Sequence, residues 1–325
     1  MRILSGIRPS GKLHLGNYLG AIKNWIELQN KPDLDLAVFM IADYHGITTP
    51  FDPKTYRAGV IDQACQYLAA GLNHEKVLLI RQSQIPEHAE LGWIFSTITP
   101  ISWLNRLPTY KEQLEKFPNY NHLGLLAYPA LMAADILIYK ADTVPVGDDQ
   151  KAHIDITNEI AKKFNSMFGQ TFKPVKALIT SGARIKSLQD PSKKMSKSED
   201  EGIALIDSPK VIREKIKKAV TDSGKEIKFD EKEKSAISNL MNIYALLSGM
   251  DNKDLEKKCA GKSYVDFKND LAEVVVEFLK PIQEKYEKLK KDPNYVLDIL
   301  TKSEKKARII TGSTLKEIKE GIGVE

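Results

Sequence analysis

Cysteine is scarce in this sequence: Cys65 and Cys259 are its two thiols, and they stand far apart. Neither falls in a CxxC or Cys/His spacing, so both are read as reduced structural residues, and neither a zinc site nor an iron–sulfur cluster is expected. No apolar run approaches the roughly 20 residues that cross a bilayer. The opening MRILSGI lacks the cationic start and long apolar stretch of a secretory signal, so the chain is expected in the cytoplasm, away from membranes. No internal repeat or low-complexity tract is visible. The loop after the first apolar run matches neither GxGxxG nor GxxxxGK[ST], which excludes two familiar phosphate loops there.

What is present is ordinary for a globular protein, with 42% apolar and 28% charged residues. The length of 325 residues suffices for a catalytic domain with a large core plus a smaller second unit. A net charge of +5 is a weak pointer to a polyanionic partner. The lysines are uneven, crowding the C-terminal third in KVIREKIKKAV, EKEK, EKKCAGK, KYEKLKK and KSEKKAR. On charge alone, a solvated helical surface and a nucleic-acid face fit these runs equally.

The first half alternates strand and helix patterns. RILSGI, LAVFMIA, KVLLI and TVPVG read as strands, and the unbroken apolar run of LAVFMIA suits a strand buried on both faces. NYLGAIKNWIELQN reads as a helix, as does a segment from about Asp52, with Pro53 at its start and Gly71 near its end. Such alternation predicts an α/β fold, a doubly wound parallel sheet of Rossmann type whose ligands bind at the carboxyl ends of the strands. Pro86 to Tyr139 is mostly helical, and PEHAELGWIFSTITPISWLNR is apolar on more than one side, as a dimer interface or a core would be. DDQKAHIDITNEIAKKFN reads as a helix with acids at its start. After the polar loop SLQDPSKKMSKSEDEG, a start signal at Asp207-Ser208-Pro209 opens patterns that are helical throughout. The expected division is 1–206 as the Rossmann-like catalytic domain, 207–290 as a helical domain, and 291–325 as C-terminal helices packing back on the first.

Three stretches carry chemistry. RPSGKLHLGNYLG joins the first strand to its helix: Gly11 and Gly16 allow close backbone approach, His14 and Asn17 offer side-chain donors, and the helix start attracts phosphate. KMSKS, Lys194 to Ser198 after Lys193, is a cationic loop able to meet charge developing on a transferring phosphate. In YPALMAADILIY, steps of four, three and four place Tyr128, Met132, Asp135 and Tyr139 on one helical stripe. A carboxylate on that apolar stripe needs a partner. Taken singly, each stretch also fits a structural role: a turn, a basic linker, an acid bonded to a neighbouring tyrosine or lysine.

HLGN and KMSKS together, in this order, resemble the two signatures of the class I aminoacyl-tRNA synthetases. GIRPSGKLHLGNYLGA, YPALMAADIL, VPVGDDQKAHI, SGARI, DPSKKMSKS and AVTDS narrow the resemblance to the bacterial type of tryptophanyl-tRNA synthetase, over nearly the whole chain. The resemblance implies a ligase that activates L-tryptophan with ATP and passes it to the 3′ end of tRNA(Trp), with magnesium held mainly by phosphates and 207–290 as the anticodon-binding domain. It implies an ATP site of Arg8, Pro9, Ser10, Gly16, Asn17, Gly147, Asp148, Asp149, Ile185 and the loop Lys194, Met195, Ser196, Lys197 and Ser198. His14, Asn17, Lys194 and Lys197 would serve catalysis. Asp135 would accept the indole N–H among Tyr128, Met132, Val144 and Val146, with Gln150 and His45 beside the substrate. No resident metal site is implied, and a homodimer is expected. Leu4 stands where relatives often carry an aromatic wall residue. Asp43 should lie near substrate, Lys111 and Lys116 are more consistent with solvated surface, and His74, His88, His122 and His153 read as ordinary residues. The alternatives are a tyrosyl-tRNA synthetase, a non-catalytic RNA-binding relative, and a small-molecule adenylyltransferase.

Overall fold

The computed structural model describes residues 1–147, 150–179, 185–195, 202–224 and 226–324. Five parallel strands, β1 (Arg2–Ile7), β2 (Leu36–Ile41), β3 (Leu78–Arg81), β4 (Thr143–Val146) and β5 (Lys176–Ile179), form one sheet in the order β3-β2-β1-β4-β5. The chain runs outward from β1 to β3, then crosses back to place β4 on the other side of β1. This is the doubly wound arrangement, and its switch point lies between β1 and β4. Strand β5 has no counterpart in the sequence reading: it is four residues long, begins with a lysine and is half-exposed at the sheet edge, so no apolar run announces it.

Period-two alternation sends successive strand side chains to opposite faces. Ile3, Phe39, Ile41 and Leu79 join one core with Trp25 and Tyr67. Leu4, Val38, Met40 and Ile80 join the other with Phe95, Ala134 and Phe164. The first core is covered by α1 (Leu15–Asn17), a π-helical turn at Tyr18–Ile22, α2 (Lys23–Leu28) and α4 (Pro53–Ala70); α3 (Asp43–Gly46) caps the end of β2. Helix α4 begins and ends as its sequence dictates: the Asp52 side chain accepts from Lys54 N, Pro53 fills the first turn, and Gly71 closes it at φ 116°. The second core lies under α5 (Pro86–Ile98), α6 (Ile101–Asn105), α8 (Leu123–Leu137) and α9 (Lys151–Phe168), while α7 (Pro108–Lys116) buries none of its residues.

Helices α10 (Pro209–Lys218), α11 (Ser235–Ser248), α12 (Asn252–Cys259), α13 (Tyr264–Lys291) and α14 (Pro293–Ile322) follow, with Ser208 capping α10. Helix α13 packs on α10, α11 and α4, while α14 lies along β3, α4 and α5. The edge strand β3 is therefore covered rather than exposed for pairing. Glu304 of α14 takes its last amide, accepting from Arg81 N at 3.2 Å, and grips the Arg81 guanidinium at 2.7 and 2.8 Å. That hydrogen bond to Glu304 raises the Arg81 pKa. Removing one partner of such a covered pair leaves the other's charge without compensation. Glu304→Ala is expected to lower unfolding free energy by about 3 kcal/mol, measured by urea denaturation.

Candidate active site

Strand β1 pairs with β2 along its whole length, but its ladder with β4 is confined to Ile3 opposite Thr143. Towards their carboxyl ends the two strands line opposite sides of a cleft of about 500 Å³, reached by Leu4 to Arg8 on one side and Val144 to Gly147 on the other. Gly6 is required at this wall: a Cβ there would stand 2.8 Å from the Met40 carbonyl oxygen. Helix α8 supplies Tyr128, Met132 and Asp135 to the same cleft, α3 supplies His45, and α9 with its preceding residue supplies His153 and Gln150.

Asp135 is 1% exposed, and it is fully engaged by protein donors. His88 Nδ1 lies 2.6 Å from Oδ1, His45 Nε2 lies 2.7 Å from Oδ2, and Gln82 Nε2 sits astride both oxygens at 2.9 and 3.0 Å. Burial pushes the Asp135 pKa up, but the hydrogen bonds from His45 and His88 outweigh it and hold the net value below the ordinary carboxylate range. An ionised carboxylate accepts only, so both imidazole nitrogens donate to it. His88 Nε2 lies 2.8 Å from the Tyr139 hydroxyl, a phenol that burial keeps protonated. The Gln82 amide is oriented from its other end, where Oε1 accepts from Tyr44 N at 3.1 Å and His45 N at 3.3 Å.

This corrects the sequence expectation that the acid waits for a ligand to pair with it: its charge is compensated within the protein. The corresponding miss is that His88, read as ordinary, is one of its partners, and Gln82 was not singled out. His153, also read as ordinary, forms a triangle with Tyr128 and Thr109, with Nε2 2.7 Å from the tyrosine hydroxyl and 3.1 Å from Thr109 Oγ1. Asp43 does not line the cleft; it locks the Gln82–Gln84 turn by accepting from Ser83 N at 2.8 Å and from the Ser83 hydroxyl. Arg8 projects into the cleft, where burial lowers its pKa against the opposing influence of the Tyr128 and Tyr56 phenols. Lys111 and Lys116 are exposed on α7.

The other two motifs meet beside this cleft. His14 and Asn17 form a capping box: Asn17 N donates to His14 Nδ1 at 3.2 Å, and His14 N donates to Asn17 Oδ1 at 3.1 Å. At least one nitrogen of His14 and the oxygen of Asn17 therefore hold the helix start rather than pointing to a phosphate. The same stretch is tied to the far side of the polar loop, with Leu15 N donating to Ile203 O at 2.8 Å and Leu205 N to Leu13 O at 2.9 Å. Gly16 faces the lysine motif: a Cβ on it would lie 3.0 Å from His14 Nδ1 and 3.4 Å from Met195 Cβ. Met195 is buried and donates its amide to Ile185 O at 3.0 Å. The Ile185 side chain is likewise in the core and does not line the cleft. Pro9 and Ser10 line a neighbouring cleft beside Tyr56. Lys194 is exposed and paired across an isolated bridge with Lys186. Asp148, Asp149, Ser196, Lys197, Ser198 and most of SGARI lie outside the described residues. Among the described residues no cluster of three or more His, Cys, Asp or Glu forms a metal site, and no helix is long and apolar enough to cross a membrane.

The family described as tRNA synthetases class I (W and Y) matches residues 1–280. The tryptophan–tRNA ligase of Wolinella succinogenes is 44% identical over 327 residues, covering 99% of this chain and 98% of its own. The structure of tryptophanyl-tRNA synthetase from Mycoplasma pneumoniae superposes with a TM-score of 0.89 at 35% identity, over 100% of this chain and 98% of that one. The enzyme from Campylobacter jejuni, complexed with ADP and tryptophan, gives a TM-score of 0.86 at 35% identity, over 99% and 100% of the two chains.

Proposed function

Because this chain belongs to the class I tRNA synthetases of the tryptophan and tyrosine type, we propose that it activates L-tryptophan with ATP and transfers it to the 3′ end of tRNA(Trp). The observation that carries the substrate assignment is Asp135, an ionised acceptor at the wall of a cleft beside the apolar side chains of Met132, Val144 and Val146. Three donor groups make four contacts with its two oxygens, about the number of acceptor sites a carboxylate offers. Gln82 straddles both oxygens with one nitrogen, so a ring that carries one N–H on an apolar body, which is indole, would share an oxygen with it. Met132, Val144, Val146 and Tyr128 would hold the ring, with Leu4 behind it. Gln150 and His45 would meet the polar end or flank the ring donor.

ATP would lie across the carboxyl end of β1, against Arg8, Pro9, Ser10, Gly16, Asn17 and Gly147. Asp148, Asp149, Ile185, Met195, Ser196 and Ser198 are assigned to the same site by family pattern. The tryptophan carboxylate attacks the α-phosphorus, forming tryptophanyl-adenylate and releasing pyrophosphate. No side chain acts as nucleophile. Lys194 and Lys197 would neutralise charge growing on the departing phosphates, and His14 with Asn17 would hold the helix start that faces them. Magnesium would travel with the nucleotide, bound by phosphates and water. The terminal ribose of tRNA then takes the aminoacyl group. Lysines of α10 to α14 would contact tRNA phosphates. The division into a catalytic unit to residue 206, a helical unit to 290 and terminal helices beyond it is part of this reading. So are a cytoplasmic location and a homodimer, which the exposed apolar side chains Trp93, Ile101 and Leu123 support.

Pyrophosphate exchange run separately with all twenty amino acids tests the assignment. Exchange is expected with tryptophan at a kcat/KM roughly 10⁴-fold above that with phenylalanine, as for sites that bond a substrate N–H or O–H. Exchange led by tyrosine, or by no amino acid, would reject it.

A further inference from the structure

The substrate acid is surrounded on its protein side by groups that never reach the substrate. Gln82 and His88 are both 0% exposed, and neither they nor Tyr139 line the cleft. Each is fixed from behind. Backbone amides of α3 hold the Gln82 amide, while the Tyr139 hydroxyl holds His88. Resting on the tryptophan-activating reading, we propose that His88 and Gln82 are specificity-determining positioning residues, which clamp the Asp135 carboxylate in one orientation at the cleft wall, where an oxygen it shares with them also accepts from a ring N–H.

The argument is one of acceptor geometry. With His88 on Oδ1, His45 on Oδ2 and Gln82 across both, the carboxylate plane is held by three donors arriving from three different elements: α5, α3 and the turn after β3. Rotation of the group would break at least two of these bonds at once. Released from them, a carboxyl buried to this extent turns or takes up a proton, and either change removes the preference for a ring that donates. The positioning residues therefore act on which ring is chosen, and the packing that holds any ring of that size is supplied by other side chains.

The test uses tryptophan and its benzothiophene isostere, in which sulfur replaces the ring N–H while shape is kept. The readout is the ratio of kcat/KM values for the two amino acids in ATP–pyrophosphate exchange. His88→Leu should reduce that ratio about 10-fold or more, the worth of a hydrogen bond to a charged acceptor. His88→Asn, whose amide nitrogen can stand where Nδ1 stood, should keep it within about 3-fold of the original. Should His88→Leu fail to fold, Tyr139→Phe removes one oxygen from the same string and should reduce the ratio by about 3-fold. Equal losses for both amino acids in His88→Leu and His88→Asn, or an unchanged ratio in His88→Leu or in Tyr139→Phe, would overturn the proposal, because a purely structural role moves both substrates together. Unmodified enzyme that exchanges with neither amino acid would overturn the ligase reading itself, a separate failure.

Discussion

Replacing Asp135 with asparagine should lower kcat/KM for tryptophan by about 100-fold and collapse discrimination against phenylalanine. The substitution keeps the shape of the side chain and removes its charge. It also turns one acceptor oxygen into an NH2 group, which meets donors already aimed at that position, Gln82 together with either His88 or His45. At least one buried donor then loses its acceptor, so stability should fall by about 2 kcal/mol as well. Both effects are measurable on one preparation, by exchange kinetics with the two amino acids and by urea denaturation. If tryptophan remains preferred over phenylalanine by the original factor, the acid does not read the ring. The pH dependence has a fixed sign. The carboxylate's folded pKa lies below its ordinary value of 3.8, so its stabilising effect is complete above that value and is lost as pH falls through the folded pKa. Tryptophan selectivity should therefore be insensitive to Asp135 titration near neutral pH.

The second large effect is expected from the lysine motif. Lys194→Ala and Lys197→Ala should each lower kcat for adenylate formation by about 100-fold or more, the usual consequence of removing one donor aimed at developing charge. Tryptophan affinity, measured by equilibrium titration, should stay within about 2-fold, because the proposed role of both lysines is on the phosphates and not on the ring. Unchanged kcat in both variants would remove the phosphate role. Met195 is buried, and its Cβ stands 3.4 Å from where a Cβ on Gly16 would be, so this methionine lies against the first loop.

The fold was legible because its evidence is local. LAVFMI is apolar without interruption and becomes the buried β2, and Asp52, Pro53 and Gly71 mark α4 within a few residues of each end. Asp135 was legible for the same reason, since Tyr128, Met132 and Asp135 of its stripe lie within one helix. Its partners were not. Gln82 stands 53 residues away in a short turn and His88 47 residues away on another helix, and no periodicity links them to α8. The capping roles of His14 and Asn17 were also hidden, because the same residues at the same spacing suit a phosphate loop. Strand β5 escaped because a half-exposed edge needs no apolar pattern.

The grip of Glu304 on Arg81 has a consequence for how the enzyme is made. Arg81 immediately precedes Gln82, and its partner is encoded 223 residues further along. A nascent chain emerging from the ribosome can lay down the whole sheet and still lack the contact that secures the end of β3. Products terminated before α14 would lack that contact, leaving the Arg81 guanidinium without its carboxylate and β3 uncovered at the sheet edge.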